Sequence, residues 1–465
     1  MTNKILRYLG IFLIVVIFPF SNVFSQTEDL SKLADDVRNE TKRTWDAYKK
    51  YAWGHDVLKP ISGSYHDWYK ESLYISPIDA YSTLQVMGLK KEAREIEKYI
   101  IRHVDFDKDM DVKVFEVNIR ILGGLLAMYE WSGNKKELEK ARDFADRMLP
   151  AFNTPTGIPA YWVNLRTGEI RGDTVNIAEA GTYTFEMGML SYYTGDPKYY
   201  QAGKKATMAI FDRRSDLGLI GDIIDIQSGE WVSESSHICA GVDSYYEYLY
   251  KSFLMFGDAD LYKVWAESIG PVNRYIAEEY EGRLWYGRTN MYNGEHTSAL
   301  ISLYDAFFPA LLALSGDIDR AERLQSTWDY VWDLYGLEPT SYDYKKKEVG
   351  HPVYNLNPEI IESAYYLYHF AGDKKYVNMA AKYWKDINTY CRTDIAFTSI
   401  EDVTTMEQRD YMATYFIAET LKYFYLVFSH DKGGFDFDDH IFNTEAHPFI
   451  RSRIDPEKAA RNLGF

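Results

Sequence analysis

Three glutamates stand inside almost wholly apolar stretches of this sequence. Glu116 occurs in Val-Phe-Glu-Val-Asn-Ile-Arg-Ile-Leu, Glu359 in Asn-Pro-Glu-Ile-Ile-Glu-Ser, and Glu419 in Phe-Ile-Ala-Glu-Thr-Leu. A carboxylate buried among apolar side chains is unfavourable unless it is paired, capped or used chemically. Several carboxylates in one apolar-walled cavity suit two tasks: coordination of a hard cation such as Ca²⁺, and glycoside hydrolysis by a pair of carboxylic acids.

These acidic residues have polar partners at helical spacing. Residues three, four or seven positions apart share one face of an α-helix. The pairs with such spacing are Glu116 with Arg120, Asp243 with Glu247, Glu359 with Glu362, and Glu179 with Glu186. The alternative for each pair is a structural role, as a buried ion pair or as a partner of the helix dipole. A purely structural interpretation would require this explanation for all four pairs at once. The sequence therefore favours a functional cluster.

The elements that position these residues are helices joined by turns at near-constant intervals. A glycine that ends one helix and an Asn or Asp that caps the next form a tight helix-to-helix turn. Such turns lie at 87–89, 132–134, 194–196, 256–258, 315–317 and 371–373, with a degenerate copy at 430–431. Seven turns predict seven helical hairpins of one size, which is typical of an all-α toroid or solenoid.

Hydrophobic periodicity is helical through nearly the whole chain. Segments 115–129, 177–193, 243–256, 358–370 and 415–428 are apolar on most of their circumference, whereas 135–148 and 374–387 are amphipathic. This alternation predicts an inner ring of buried helices and an outer ring. Two stretches break the pattern: 154–176 predicts a long loop or hairpin, and 433–448 predicts strand rather than helix.

In such a ring the inner helices all begin at one end, and an acidic residue lies near each predicted start. These residues are Asp79, Glu116, Glu179, Asp243, Asp305, Glu359 and Glu419. With 69 acidic residues in the chain, chance alone would place one near most helix starts. Apolar context therefore identifies the candidates better than position does.

The first 25 residues predict a secretory signal peptide, because Lys4 and Arg7 precede an apolar run and a cleavage point is available before Gln26. We therefore expect residues 26–465 to form a single catalytic domain of an exported protein, periplasmic or secreted.

The formal charge of −17 becomes more negative without Lys4 and Arg7. Such a charge disfavours nucleic acid and anionic membranes as partners. No later segment is apolar for long enough to insert into a membrane, and we expect a monomer.

Other chemistries find little support. Gly-x-Ser-x-Gly, His-Glu-x-x-His, P-loop and dinucleotide-binding motifs are absent, and the ten His residues form no zinc-spaced cluster. Cys239 and Cys391 allow one disulfide, but two free, buried thiols are favoured.

Several motifs resemble the class I α-mannosidases of glycoside hydrolase family 47. They are Tyr-Ala-Trp-Gly-His-Asp (51–56), Leu-Lys-Pro-Ile-Ser (58–62), Pro-Ile-Asp-Ala (77–80), Phe-Glu-Val-Asn-Ile-Arg-Ile-Leu-Gly-Gly-Leu-Leu (115–126), Asp-Ser-Tyr-Tyr-Glu-Tyr-Leu (243–249), Pro-Glu-Ile-Ile-Glu-Ser (358–363), Ala-Glu-Thr-Leu-Lys-Tyr (418–423) and Phe-Asn-Thr-Glu-Ala-His-Pro (442–448). Segments 213–221 and 241–245 look most similar to the ER degradation-enhancing mannosidase-like branch. The signal peptide and a single glycosylation sequon, at 39–41, are more typical of a bacterial member.

The resemblance implies an (α/α)7 barrel plugged by a C-terminal β-hairpin. It also implies a Ca²⁺-dependent, inverting exo-hydrolase that removes terminal α-linked mannose, with α-1,2 linkages favoured, from a mannose-containing oligosaccharide or N-glycan. Carried over residue by residue, Glu116 matches the general acid, Glu359 the general base, and Asp243 a third essential carboxylate. Thr444 matches the Ca²⁺ ligand. The residues implied to contact the sugar or the waters around the ion are Arg120, Glu179, Glu362, Tyr415, Glu419 and Glu445.

The chain departs from the family's pattern beside these residues. Asn357 replaces an arginine next to the base, Tyr415 replaces a phenylalanine, and Gly241 replaces an arginine that many members carry. Segment 303–309 offers no histidine where the family has one. These changes leave open a second hypothesis, a non-catalytic mannose-binding protein on the same scaffold. A third, a polysaccharide lyase or sugar epimerase built on an α/α toroid, is disfavoured by the Thr-Glu pair of the plug at 444–445.

Overall fold

The computed structural model describes residues 30–465, so the predicted signal peptide lies outside the described residues. Helices dominate this range and form two rings. The inner ring consists of α2 (Ile75–Val86), α4 (Val114–Val117) with α5 (Gly123–Ser132), α7 (Ile177–Gly181) with α8 (Thr184–Thr194), α10 (Asp243–Phe256), α12 (Phe308–Leu314), α14 (Glu359–Ala371) and α16 (Leu421–Ser429). The outer ring consists of α1 (Leu30–Tyr51), α3 (Lys90–His103), α6 (Lys135–Met148), α9 (Lys198–Phe211), α11 (Ala259–Pro271), α13 (Ile318–Tyr335) and α15 (Lys375–Tyr390), and α17 (Pro456–Leu463) follows the rings.

The two rings differ in how their helices are buried, as their sequences predict. Outer helix α6 buries one stripe, made of Ala141, Phe144, Ala145 and Met148, together with Glu137. Inner helix α10 buries ten of its 14 residues, because other elements surround it on most sides. The predicted all-α barrel of inner and outer helices is therefore confirmed. Within residues 30–465 no helix is both long and apolar enough to cross a membrane.

Six of the predicted turns join an inner helix to the outer helix that follows it. Their glycines adopt the left-handed conformation; Gly133 has φ 68° and Gly257 has φ 78°, a region where side-chain-bearing residues are strained. At three of these turns the N-cap side chain of the next helix, Asn134, Asp258 or Asp317, accepts a backbone N–H.

The seventh predicted turn does not join two helices. After α16 the chain makes one 3₁₀ turn (His430–Lys432), reverses at Gly433 and continues into a β-hairpin. The outer partner of α16 is α1, from the opposite end of the described chain. The barrel is therefore closed by pairing its first helix with its last, which a repeat of local turns cannot predict.

The strands form short antiparallel sheets of two or three strands, and all but the last sheet lie in connections from an outer helix to the next inner one. Their members are β1 (Val57–Lys59) and β2 (Ser64–His66); β3 (Asp111–Lys113), β4 (Trp162–Asn164) and β5 (Ile170–Arg171); β6 (Thr174–Asn176), β7 (Ile223–Asp225) and β8 (Trp231–Ser233); β9 (Ser235–Ser236), β12 (Arg288–Asn290) and β13 (His296–Ser298); β10 (Ala277–Tyr280) and β11 (Arg283–Tyr286); β14 (Leu300–Ser302), β15 (Ser341–Asp343) and β16 (Glu348–His351); β17 (Ser399–Asp402) and β18 (Glu407–Arg409); and β19 (His440–Phe442) and β20 (Pro448–Ile450). The predicted hairpin within 154–176 is β4 with β5. The predicted strand region 433–448 contains β19, which pairs with β20.

The β19–β20 hairpin packs against the inner ring and brings its tip into the barrel. Strand β19 contacts α10, and β20 contacts α5. At the tip, Asn443 donates hydrogen bonds to the carbonyl of Ile119 and to Glu186 of α8, at 3.2 and 2.8 Å. These contacts fix Thr444 and Glu445 at one end of the central cavity.

Two inner helices contain π-helical turns that periodicity did not predict. One (Asn118–Leu122) carries Arg120, and the other (Phe416–Thr420) carries Glu419. A π turn inserts an extra residue into a helix and is frequent at functional sites. The predicted helix 177–193 is also divided, between Gly181 and Thr184. A side chain at Gly181 would meet Tyr245 of α10 at 2.5 Å, so the two helices pack too closely there for any larger residue.

Candidate active site

The barrel encloses a cavity of about 340 Å³ at the end where the inner helices begin. Nine of the ten predicted site residues line it: Glu116, Arg120, Glu179, Asp243, Glu359, Tyr415, Glu419, Thr444 and Glu445. The tenth, Glu362, lines an adjoining recess of about 70 Å³ that shares Asp243, Glu359, Glu419 and Thr444 with the cavity. The structure therefore brings all ten predicted residues together.

The cavity has a wall that meets solvent and a more deeply buried floor. Glu116, Glu179, Asp243 and Glu359 are half-buried, at or near the starts of inner helices. The floor residues are Arg120, Glu362, Glu419 and Glu445, which are 8, 8, 7 and 1 % exposed. A ligand would thus meet the wall carboxylates first and end against the hairpin tip.

Arg120 organises one side of this cavity. Its Nε donates a hydrogen bond to Glu116 Oε2 at 3.0 Å, and its Nη1 pairs with Glu445. Asp79, fully buried behind it, lies 3.5 Å from Nη1. Burial alone would lower the pKa of the guanidinium, but the charges of Glu445 and Glu116 raise it, so Arg120 stays charged. One cation thereby orients the predicted acid and holds a floor carboxylate in place.

The opposite side gathers carboxylates without such a partner. Burial, together with the nearby charges of Glu362 and Asp243, raises the pKa of Glu359 to about 8. Burial and the charges of Glu247 and Glu179 raise the pKa of Asp243 to about 7. Glu359 Oε2 is buried and has no hydrogen-bond partner among the described residues. This side therefore holds more carboxyls than its protein surroundings can keep ionised at neutral pH.

The floor continues this pattern. Burial and then Glu445 raise the pKa of Glu419 well above its ordinary value. Burial raises the pKa of Glu362 to about 7 although Lys251, 3.7 Å away, opposes the shift. Crowded, desolvated acids of this kind are a frequent feature of functional sites.

Two of the seven acidic residues at predicted helix starts do not line the cavity. Asp305 is buried and accepts a hydrogen bond from the backbone N–H of Ser302, which caps the helical turn Leu303–Phe307. Asp79 lies behind Arg120, and neither of its oxygens has a hydrogen-bond partner among the described residues. An acidic residue at a helix start is therefore not sufficient to predict that it lines the cavity. This agrees with the large number of acidic residues, which places one near most helix starts by chance.

Sequence reasoning missed two groups at the site. Tyr304 lines both the cavity and the recess, and burial followed by the charge of Glu359 raises its pKa to about 12. Lys251, buried on α10, lies 2.5 Å from Glu247. The i,i+4 spacing of Glu247 and Lys251 was a signal that could have revealed the second group.

Two departures from the family's pattern contact each other. The Tyr415 hydroxyl donates to the side-chain oxygen of Asn357 at 3.5 Å, and the Asn357 amide donates to Glu359 Oε1 at 3.4 Å. Gly241 has φ 95°, and its carbonyl accepts the backbone N–H of Ala178 on α7. Tyr415 and Gly241 thus line the cavity, and Asn357 bears on it through its contacts with Tyr415 and Glu359.

The donor chemistry of the recess fits a hard cation held partly through water. Its polar lining is oxygen, from carboxylates and from the hydroxyls of Thr444, Ser244 and Tyr304. Among residues 30–465, no group of three or more His, Cys, Asp or Glu side chains is close enough to hold a metal ion directly. A cation in the recess would be held by Thr444, the ligand that the family resemblance implies, with carboxylates such as Glu362 and Glu419 reaching it through water.

A wider groove, of about 820 Å³, lies beside the cavity on the side of Glu116. Its lining includes Tyr69, Trp162 and Asn164. Lys113, three residues before Glu116, places its ammonium 5.9 Å from the Trp162 ring, and its backbone N–H donates to the Tyr69 hydroxyl at 3.2 Å. An aromatic ring among polar groups is a surface on which sugars stack.

An (α/α) barrel whose cavity is lined by several carboxyls and closed by a hairpin has the composition expected of a glycoside hydrolase. Residues 40–451 match the family model of glycosyl hydrolase family 47. The protein belongs to glycosyl hydrolase family 47.

Relatives and a solved structure agree with this assignment. The chain is 33% identical over 447 residues to alpha-mannosidase I MNS5 of Arabidopsis thaliana, covering 90% of this chain and 77% of the relative. It is 34% identical over 451 residues to the human ER degradation-enhancing alpha-mannosidase-like protein 2, covering 89% and 75%. The fold matches an alpha-1,2-mannosidase from Trichoderma reesei with a TM-score of 0.82 and 27% identity, covering 90% of this chain and 99% of that one.

Proposed function

We propose that this protein is an exported, Ca²⁺-dependent, inverting exo-α-mannosidase that removes terminal mannose, α-1,2-linked, from mannose-rich glycans. The observation that carries the proposal is the convergence of Glu116, Asp243 and Glu359 on one cavity. The family and the name of the Trichoderma enzyme supply the sugar and the linkage.

The shape of the cavity supports exo action. The C-terminal hairpin places Thr444 and Glu445 on its floor, where Glu445 pairs with Arg120. A chain of sugars therefore cannot continue past that end, and a terminal residue suits the space. Glu179, Glu362 and Glu419 surround this end and are placed to accept hydrogen bonds from sugar hydroxyls.

The two predicted catalytic carboxyls stand on different sides of the cavity. Glu116 pairs with Arg120 and follows Lys113, which contacts Tyr69 of the outer groove, whereas Glu359 lines the recess with Asp243 and Glu362. Inverting hydrolysis needs this division, because the acid protonates the leaving oxygen while the base activates water on the opposite face of the sugar. We assign Glu116 as acid and Glu359 as base, with Asp243 supporting the attacking water.

Glu359 must be ionised to act as the base, and burial opposes this. When bound at Thr444, Ca²⁺ would supply positive charge that favours the ionised form of nearby carboxyls, and it would orient sugar hydroxyls. Asn357 contributes independently, since its amide donates to Glu359 Oε1.

The outer groove supports recognition of the leaving portion of the glycan. Because the general acid faces the leaving oxygen, the groove on the side of Glu116 is where the rest of the oligosaccharide would extend. Trp162 offers a ring face there, and Asn164 and Asp109 offer hydrogen-bonding groups.

The test is a panel of α-1,2-, α-1,3- and α-1,6-linked mannobioses, each incubated with Ca²⁺ and with EDTA. We expect the α-1,2 linkage to be cleaved fastest, cleavage to stop in EDTA, and NMR to show β-mannose as the first product. The matched control for Glu359→Gln is Glu407→Gln, on the exposed strand β18. Full activity of Glu359→Gln would refute the assignment of the base, whereas mannose binding without turnover on any linkage would favour a binding protein.

A further inference from the structure

A chain of four polar side chains lies outside the cavity, in the segment that leads into α10. Cys239 Sγ lies 3.1 Å from His237 Nδ1, and His237 Nε2 lies 3.2 Å from Asp222 Oδ2. Arg288, the first residue of β12, points its Nη2 at Cys239 Sγ from 3.2 Å. Cys239 and His237 are each 2 % exposed, so this network is internal to the fold.

The hydrogen bonds of His237 indicate which of its nitrogens carries the proton. The backbone N–H of Cys239 donates to His237 Nδ1 at 3.2 Å, so that nitrogen is an acceptor and Nε2 carries the proton. Nε2–H then donates to the Asp222 carboxylate, and the sulfur accepts from Arg288. The thiol has two acceptors within reach, Nδ1, which it shares with the backbone N–H, and the carbonyl of Ala240 at 3.7 Å. Burial lowers the pKa of His237 and raises that of the Cys239 thiol, which agrees with a neutral imidazole and an S–H group.

This network holds the bend from which α10 starts. The carbonyl of Cys239 accepts the backbone N–H groups of Val242 and Asp243, at 2.9 and 3.2 Å. Two residues further along, the carbonyl of Gly241 accepts the N–H of Ala178, next to Glu179 on α7. The backbone of the segment 239–241 is thus bonded to the two helices that carry Asp243 and Glu179.

A direct chemical role for the thiol does not fit this geometry. A nucleophilic cysteine needs thiolate character and access to substrate, and Cys239 is a buried thiol. The neighbouring residues Ala240 and Gly241 line the cavity instead. The influence of Cys239 on a reaction would therefore pass through the backbone.

We propose that Cys239, held between His237 and Arg288, is a positioning residue that sets the placement of Asp243 and Glu179 in the cavity. This inference rests on the proposed function, since it assigns a cause to the geometry of that site. In Cys239→Ala the methyl group can neither donate to His237 nor accept from Arg288, whose guanidinium then loses a buried acceptor. In Cys239→Ser the hydroxyl can make both bonds.

The experiment compares Cys239→Ala and Cys239→Ser with Cys391→Ala. Cys391 is also a free, buried cysteine, but it lies at the end of outer helix α15. On α-1,2-mannobiose, we expect Cys239→Ala to lower kcat about 10- to 100-fold, the range for a small misplacement of catalytic groups, and Cys239→Ser to recover most of this loss. Cys391→Ala is expected to lower the melting temperature to a similar extent as Cys239→Ala with kcat unchanged.

An unchanged kcat in Cys239→Ala, or equal losses of kcat in both alanine variants, would overturn the proposal. Crystal structures of wild type and Cys239→Ala provide a readout that does not need turnover. A shift of the 239–243 turn supports the positioning role, and superimposable turns refute it. If the wild-type enzyme cleaves no mannoside, the proposed function fails while this structural comparison still decides the inference.

Discussion

Replacing Glu359 by glutamine is expected to abolish turnover and to stabilise the fold at high pH. The folded-state pKa of about 8 exceeds the ordinary value of 4.5. Between these values the unfolded chain has released the proton and the folded chain retains it. The contribution of Glu359 to stability therefore falls as pH rises from about 4.5 to about 8, and it is constant above that range. Glutamine does not titrate, so the variant escapes this loss.

The size of the effect follows from the same values. A difference of 3.5 pKa units, from 4.5 to about 8, corresponds to about 5 kcal/mol for a fully buried group. Because Glu359 is half-buried, solvent screening reduces this figure, and we expect about 2–4 kcal/mol. For a chain of 465 residues, 1 kcal/mol shifts the melting temperature by about 1 °C.

The assay is thermal unfolding of wild type, Glu359→Gln and the exposed control Glu407→Gln at pH 5, 7 and 9 in EDTA. The melting temperature of Glu359→Gln relative to wild type should rise by about 2–4 °C between pH 5 and pH 9, and that of the control should not change with pH. Added Ca²⁺ should reduce the difference in melting temperature between Glu359→Gln and wild type at high pH. The reason is that the cation stabilises the ionised carboxylate, which only the wild type has. A difference in melting temperature between the two proteins that does not change with pH would refute the reasoning.

Three further outcomes are expected. Glu116→Gln and Asp243→Asn should each lower kcat on α-1,2-mannobiose by a factor of about 100 or more, with unchanged circular dichroism; a kcat within threefold of wild type would exclude the role. Raising Ca²⁺ from a subsaturating to a saturating concentration should shift the acidic limb of the kcat/KM profile to lower pH, since bound Ca²⁺ favours ionised Glu359; a shift upward would contradict the assigned base. Trp162→Ala should raise KM about fivefold for a mannose-rich oligosaccharide, through a lost stacking contact of about 1 kcal/mol, but not for the disaccharide; equal changes would place the groove outside the binding site.

The repeat of helix-ending glycines predicted the architecture because it depends on local chemistry. A left-handed glycine such as Gly257, followed by a capping Asp258, ends one helix and begins the next whatever surrounds it. Closure of the ring by α1 and α16 and the division between α7 and α8 depend on contacts between residues far apart in sequence. Such long-range contacts produce no periodic pattern in the sequence, so they could not be predicted from it.

The sequence predicted those site residues whose burial is energetically unfavourable unless they have a functional or structural role. Glu116 and Glu359 are recognisable because a carboxylate within an apolar helix needs a reason to be there. Tyr304 carries no such signal, since most of the 40 tyrosines in the chain can be explained by packing. The network around Cys239 was equally hidden, because its members lie at 222, 237, 239 and 288 and meet only through strands β7, β9 and β12.

The distribution of positive charge explains why this cavity would need a cation from outside the protein. Within residues 30–465, Arg120 lines the cavity and Lys251 lies beside its recess. Lys113 and Lys422 act on Glu179 and on Glu419, not on Glu359. Arg120 is occupied by Glu116 and Glu445, and Lys251 lies closer to Glu247 than to Glu362. Glu359 therefore has no cationic partner, although its proposed role as base requires the ionised form. A bound divalent ion near Thr444 would supply the missing charge, so ion binding and the protonation state of the base should be coupled.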